Sequence, residues 1–239
     1  MSWAHGRRKA QAISAAPFTP VVLNGSIVRL EPMTEAHIDA LAEAGNDPQL
    51  WLFTMTRITG RTDAAAYVQA ALAGAAQGTV FPFVTVLPSE NRIIGSTRFG
   101  NYDRDSQRVE IGWTWVAPPW QRSGANVETK LLMMTHAFEQ LGCNRVEFKT
   151  DVLNEKSRRA LLGIGATEEG ILRQHTRLWH GRVRDSIYYS VLLSEWPVVK
   201  QKLQEKLANY GTGNRDVTTE NRDVKSENRD VTPGLKTVT

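Results

Sequence analysis

Residues 109–126 read Val109-Glu110-Ile111-Gly112-Trp113-Thr114-Trp115-Val116, then Ala117-Pro118-Pro119-Trp120, then Gln121-Arg122-Ser123-Gly124-Ala125-Asn126. The first eight residues alternate with the two-residue period of a strand. Val109, Ile111, Trp113 and Trp115 are predicted on one face, and Glu110, Gly112, Thr114 and Val116 on the other. Pro118 and Pro119 end the ladder, because neither can donate a backbone hydrogen bond. Val127, Leu131, Met134, Phe138 and Leu141 then recur at spacings of four and three, a single apolar stripe along a helix. Gly142 follows where a left-handed C-terminal cap is expected. A strand that turns directly into a helix presents unpaired first-turn N–H groups and the positive end of the helix dipole. This stretch therefore predicts a site for a phosphate-bearing ligand.

The same stretch carries a resemblance. Gln121 to Asn126 resembles the pyrophosphate-binding signature of the GNAT acetyltransferases, (Gln/Arg)-x-x-Gly-x-(Gly/Ala), with Asn126 in place of the usual final Gly or Ala. Residues 109–116, 145–151 and 154–165 resemble the family in order and spacing, and the ribosomal-protein N-terminal (alanine/serine) acetyltransferase subgroup in particular. The resemblance runs over residues 24–207. It implies an α+β fold, a mixed, mostly antiparallel seven-stranded sheet flanked by helices (the acyl-CoA N-acyltransferase fold). The sheet would splay between its fourth strand, 110–116, and its fifth, 145–151, to admit acetyl-CoA. By the same resemblance Trp113, Thr114, Trp115 and Val116 would line the pantetheine arm. Gln121, Arg122, Ser123, Gly124, Ala125 and Asn126 would hold the pyrophosphate, and Asn154 would hydrogen-bond the pantetheine. The implied partners are acetyl-CoA, as cosubstrate, and an amine acceptor that is either a protein N-terminus or a small molecule. A homodimer is left open.

Glu110 is the candidate general base. An attacking amine must lose a proton, at about pKa 8 for an α-amine and about 10.4 for a lysine, and a partly buried carboxylate can accept it. Its structural alternative is a cross-strand partner for Arg98 or Arg108; His175 and Asp103 are weaker bases. In many family members a Tyr four residues after the position of Ser157 protonates the departing thiolate, but Leu161 occupies that place. Ser157 or a water is then the remaining candidate, and Ser157 is equally read as a helix-capping residue. Tyr188 and Tyr189 read as strand core. Arg158 and Arg159 read as a solvated helix face, with a phosphate contact as their sharper reading. Cys143, the single cysteine, excludes an intrachain disulfide and a cysteine-based metal site. The five histidines have no i,i+4 pair, so no metal is expected.

The chain has 239 residues, an apolar share of 41% and seven Trp, enough for one packed domain with tails. Three of the four net positive charges are Arg7, Arg8 and Lys9, and five basic residues balance five acidic ones after Gly213. The domain is left near neutral, which argues against nucleic-acid binding. No apolar run of membrane-spanning length occurs, and residues 1–20 lack the apolar core of a secretory signal. That segment is acid-free and contains Ala, Ser and Arg, so an organelle presequence stays open. One cysteine fits a reducing, cytoplasmic setting.

Residues 1–20 read as a flexible arm, 21–210 as the acetyltransferase domain and 211–239 as a disordered tail. In the tail Asn-Arg-Asp-Val recurs at 214, 221 and 228 with one apolar residue per heptad, too few for a coiled coil. Within the domain, strands are predicted at 26–32, 79–87, 92–100, 145–150, 170–179 and 183–193. Helices are predicted at 34–46, 62–78, 155–164 and 196–207, with 50–53 a loop containing a helical turn. Pro82 argues for an edge strand or a bulge, and His180-Gly181 for a hairpin turn. Two other function classes stand beside amine acetylation. A catalytically silent acyl-CoA-binding module suits the missing Tyr, and nucleic-acid binding through the arm would show steep salt dependence.

Overall fold

The computed structural model describes residues 19–213; the arm, apart from Thr19 and Pro20, and the heptad repeats lie outside the described residues. In chain order the elements are β1 (Leu23–Asn24), β2 (Arg29–Pro32), α1 (Ile38–Ala44), α2 (Arg61–Ala76), β3 (Val80–Leu87), β4 (Arg92–Asp103), β5 (Arg108–Val116) and α3 (Ala125–Thr135). Then follow β6 (Arg145–Asp151), α4 (Glu155–Gly163), β7 (Thr167–Arg177), β8 (Val183–Leu192) and α5 (Trp196–Gly213). Short 3-10 turns at Glu35–His37 and Pro48–Trp51 flank α1, and a π turn at His136–Gln140 extends α3. The strands form one sheet in the order β1-β2-β3-β4-β5-β6-β8-β7. All neighbours are antiparallel except β5 and β6. The sheet has eight strands rather than seven, because the two-residue β1 at Leu23–Asn24 precedes the strand expected at 26–32, which itself begins only at Arg29. Gly25 N–H donates to Val28 O at 2.9 Å, and this turn separates the two-residue β1 from β2.

Helices cover the sheet unequally. On one face α3, α4 and α5 bury Val109, Ile111, Val146, Phe148, Ile187, Tyr189 and Val191. On the other, α1 and α2 pack Leu41, Tyr67 and Val68 against Val84, Val86 and Trp115. The expected stripe of α3 is present and wider than predicted, since Met133 and Ala137 are fully buried beside Met134. Gly142, at φ +66°, and Gly165, at φ +88°, take the left-handed conformation expected where α3 and α4 end. Helix α5 runs past 207 to Gly213.

Two expectations about strands are overturned. Pro82 lies in β3, an interior strand paired to β2 and β4, not an edge. Its carbonyl accepts from Met33 N–H at 2.9 Å, so its nitrogen also faces the β2 side, just where β2 stops. The missing donor therefore breaks no ladder bond. The alternation of β5 also fails. Ser96 faces Trp115 and Arg98 faces Gly112, so Thr97 alone opposes both Trp113 and Thr114. That is a bulge, with Trp113 at φ +51°, and it exchanges the faces beyond it. Val109 and Ile111 face α3, but Trp115 packs on the α1/α2 side, its ring 5.2 Å from that of Trp51. Trp113 lies on the Glu110 side, and Thr114 points to α3.

Candidate active site

Strands β5 and β6 pair only over Arg108↔Arg145, Val109↔Val146 and Glu110↔Glu147. Past Glu110 they part, and β5 turns one backbone edge into an open fork. Unpaired strand N–H and C=O groups seek a partner, and an extended chain bearing amides can supply one. Because β5 and β6 are parallel, each delivers its helix at the same end of the sheet. The N-termini of α3 and α4 thus stand side by side at the mouth of the fork, and Lys156 of α4 hydrogen-bonds the Gln121 side chain.

The turn at the mouth is built by its own residues. Gln121 Nε2 donates to Val116 O at 2.7 Å and pins the turn to the strand end. Ser123 Oγ donates to Trp120 O at 2.6 Å. Arg122, at φ +65°, and Gly124, at φ +86°, both take left-handed backbone, which turns successive N–H groups toward one point. A Cβ on Gly124 would stand 2.8 Å from Ile27 Cδ1. Ala125 is buried, Asn126 half-buried and Arg122 exposed. The first-turn N–H groups and the exposed Arg122 guanidinium at the mouth fit a pyrophosphate.

Helix α3 is anchored to the sheet by a carboxylate that the sequence did not single out. Glu128, 5% exposed, accepts from the N–H groups of Ser26, Ile27 and Val28 at 2.9, 2.7 and 2.6 Å and from Ser26 Oγ at 2.8 Å. At α4 the cap is as expected, with Asn154 Oδ1 accepting from Ser157 N–H at 3.1 Å. Ser157 is thereby held in the first turn of α4, near the mouth.

Glu110 sits at the closed end of the fork and is 3% exposed. Its partners are neither Arg98 nor Arg108. Lys149 Nζ, one strand away on β6, and Asn101 Nδ2 donate to Glu110 Oε2 at 2.8 and 2.7 Å. Arg108 is turned outward to Asp103 and Glu147. Thr114 is on the opposite face, so the room beside Glu110 comes from Gly112 alone; a Cβ there would meet Glu110 Oε1 at 2.8 Å. Around it stand Tyr188, opposite Lys149 in the register, and His175, whose ring lies 5.8 Å from that of Tyr188. Partial burial and then the nearby Lys149 and Arg184 cations lower the His175 pKa. Burial raises that of Tyr188.

An open cleft of about 550 Å³ reaches Glu110 from the β4–β5 turn, past Asp103, Asp105, Glu147 and Tyr188. Its lining holds four carboxylates against the two guanidinium groups of Arg104 and Arg108. Near the cleft, the loop at residues 50–57 and the β7–β8 hairpin meet each other. Trp179 Nε1 donates to Trp51 O at 2.8 Å, Arg184 Nη1 reaches Phe53 O at 3.3 Å, and the Arg57 guanidinium lies 4.4 Å from the Trp179 ring centroid. Of the other candidates, Tyr189 is core. Arg158 is tied to Tyr189 and Val152, and Arg159 to Glu155. Cys143 is fully buried, and burial pushes its thiol up to about 11, which removes it as a nucleophile.

Comparison with known proteins bears on the family and the fold. A family model described as an acetyltransferase (GNAT) domain matches residues 28–167. The "putative ribosomal N-acetyltransferase YdaF" of Bacillus subtilis (strain 168) is 35% identical over 107 residues, 45% of this chain and 57% of its own. The chain thus spans little more than half the length of that relative. A GCN5-related N-acetyltransferase structure from Brucella melitensis superposes with TM-score 0.74 at 29% identity, over 80% of this chain and 86% of that one. Mycobacterium smegmatis RimJ, solved in complex with CoA-disulfide, shares the fold with TM-score 0.67 at 22% identity, over 77% of this chain and 91% of its own.

Proposed function

Because the chain belongs to the GNAT acetyltransferase family, we propose that it transfers the acetyl group of acetyl-CoA directly to a primary amine, a protein N-terminus or a small molecule. The observation that carries this reading is the fork between β5 and β6, with a phosphate-compatible turn at its mouth and a buried carboxylate at its closed end. A CoA-disulfide complex of a protein with the same fold supports the choice of cosubstrate. Acetyl-CoA supplies the activated acyl group, and the residues of this chain bind and orient it. The backbone of Arg122 to Asn126 and the Arg122 side chain hold the pyrophosphate, and the free edge of β5 from Trp113 to Val116 hydrogen-bonds the pantetheine amides. Asn154 contributes from α4. Glu110, steadied by Lys149 and Asn101, receives the proton of the attacking amine directly or through water.

The acceptor reaches Glu110 through the acidic cleft, so a cationic amine is the favoured class. Opposite charge along the approach raises its local concentration. YdaF is named a putative ribosomal N-acetyltransferase, which makes a basic protein N-terminus the first acceptor to try. The decisive measurement is CoA release with a panel of amines and N-terminal peptides. Glu110→Gln is expected to lower kcat by about 10²–10⁴-fold while acetyl-CoA affinity survives. Tight acetyl-CoA binding with no turnover of any amine would leave the silent-module reading in its place.

A further inference from the structure

Lys130 extends from the second turn of α3 into the sheet and is 5% exposed. Its Nζ donates to Thr114 Oγ1 at 2.8 Å and lies 5.5 Å from the Phe148 ring centroid. Thr114 belongs to β5 and Phe148 to β6, so the amine stands across the fork at a level where the strands have parted. Thr114 Oγ1 is in turn 2.8 Å from Thr97 Oγ1, which reaches Met133 Sδ. Among the described residues no carboxylate is ion-paired with Lys130. The one charged group acting on it is Glu110, which favours the ammonium; burial outweighs it and draws the pKa down to about 7. Leu or Met would fill this position without burying a charge. Packing therefore does not account for a lysine in the floor of the fork.

Resting on the acetyl-transfer reading above, we propose that Lys130 is the proton donor to the departing CoA sulfur, a catalytic residue on α3 that acts from the opposite side of the fork to Glu110. The cationic acceptor first loses one proton to solvent, and its neutral nitrogen then attacks the thioester carbonyl carbon. The C–N bond forms as the C–S bond breaks, and the sulfur leaves with the bonding pair. Lys130 passes one proton from Nζ to that sulfur, giving a free thiol and a neutral amine suited to its apolar surroundings. Glu110 takes the proton lost by the new amide nitrogen. Lys130 has then given one proton and Glu110 has gained one, and both reset from solvent after release. An ammonium poised near neutrality gives up a proton far more readily than the Ser157 hydroxyl, and it can be recharged at the working pH.

The test uses the full chain with CoA alone, and then with acetyl-CoA and an amine. In the CoA complex the thiol is titrated by the ultraviolet absorbance of its thiolate. An adjacent ammonium stabilises the thiolate, so the thiol of the wild-type complex is expected to titrate about one pH unit or more below that of Lys130→Met. In turnover, Lys130→Met is expected to lose about 10²–10⁴-fold in kcat and the alkaline limb of the pH profile, with acetyl-CoA affinity within about threefold. Thr114→Val, which removes the hydrogen-bond acceptor, should lose part of the thiol shift; it serves if the Met variant does not fold. Equal thiol titration in wild type and variant, or kcat within about threefold, overturns the proposal. A shifted thiol with no turnover of any amine by the wild type sinks the transferase reading and leaves the thiol contact standing. No CoA binding at all sinks both.

Discussion

Strands β5, β6 and β8 carry two unlike faces. Toward α3, α4 and α5 their residues are Val109, Ile111, Val146, Phe148, Ile187, Tyr189 and Val191, all in one apolar cluster. Alternate positions on the same strands are Glu110, Glu147, Lys149, Asp151, Ser186 and Tyr188, on the side where α1 and α2 pack over Val84, Val86 and Trp115 instead. The apolar face gains its stability by leaving water. On the other face charged groups are buried, and each needs a specific partner. Glu110 has Lys149, and Asp151 has Arg182. Two charged intruders toward the apolar side, Glu128 and Lys130, stand out against this pattern. Both are 5% exposed and sit two residues apart on α3. Glu128 accepts four hydrogen bonds, whereas Lys130 makes one, to a hydroxyl.

The largest break in this contrast should come from Glu128→Leu. It leaves the N–H groups of Ser26, Ile27 and Val28 without their acceptor, at about 1–3 kcal/mol for each buried donor. Urea unfolding is expected to show a loss of about 3–5 kcal/mol. Lys130→Met should act in the opposite direction. The folded-state pKa of about 7 lies below the ordinary 10.5, so the native state sheds a proton that the unfolded chain keeps. Wild-type stability therefore falls as pH drops from about 10.5 toward 7 and is flat below. The Met variant should be more stable by on the order of 3 kcal/mol at pH 6, a gap that closes near pH 10.5. Unfolding curves at the two pH values decide the matter, and an equal gap at both would place the ammonium in water.

On the charged face, Lys149→Met removes the cation beside Glu110. About 1–3 kcal/mol of stability should be lost, below the cost of breaking a fully buried pair because Lys149 is partly exposed. Turnover should fall as well, since Lys149 Nζ holds the Glu110 carboxylate at 2.8 Å. The smallest effect is expected from Asn154→Ala, about 1 kcal/mol for a lost N-cap, with weaker CoA binding seen by calorimetry.

Much of the α3 side was legible because it is periodic or punctuated. The stripe from Val127 to Leu141, the turn before it, the Asn154 cap and the glycines at 142 and 165 each follow from spacing or backbone sterics, which act over a few residues. Glu110 was legible as a candidate, but its partners were not. Asn101 and Lys149 are brought to it by the registers β4↔β5 and β5↔β6, set by pairings that no local pattern encodes. The bulge at Trp113 was hidden for a related reason: alternation predicts faces only while pairing is one-to-one, and one extra residue reverses every assignment after it. Lys130 and Glu128 lie off the apolar stripe of α3, and it is the packing of α3 on Thr114 and on residues 26–28 that buries them. The pattern of residues 109–141 thus determined, by itself, a strand, an anion-compatible turn and a helix, since sterics, capping and periodicity are local. Only the tertiary structure decided which groups share the fork, because burial and charge pairing depend on strands and helices far apart in the chain.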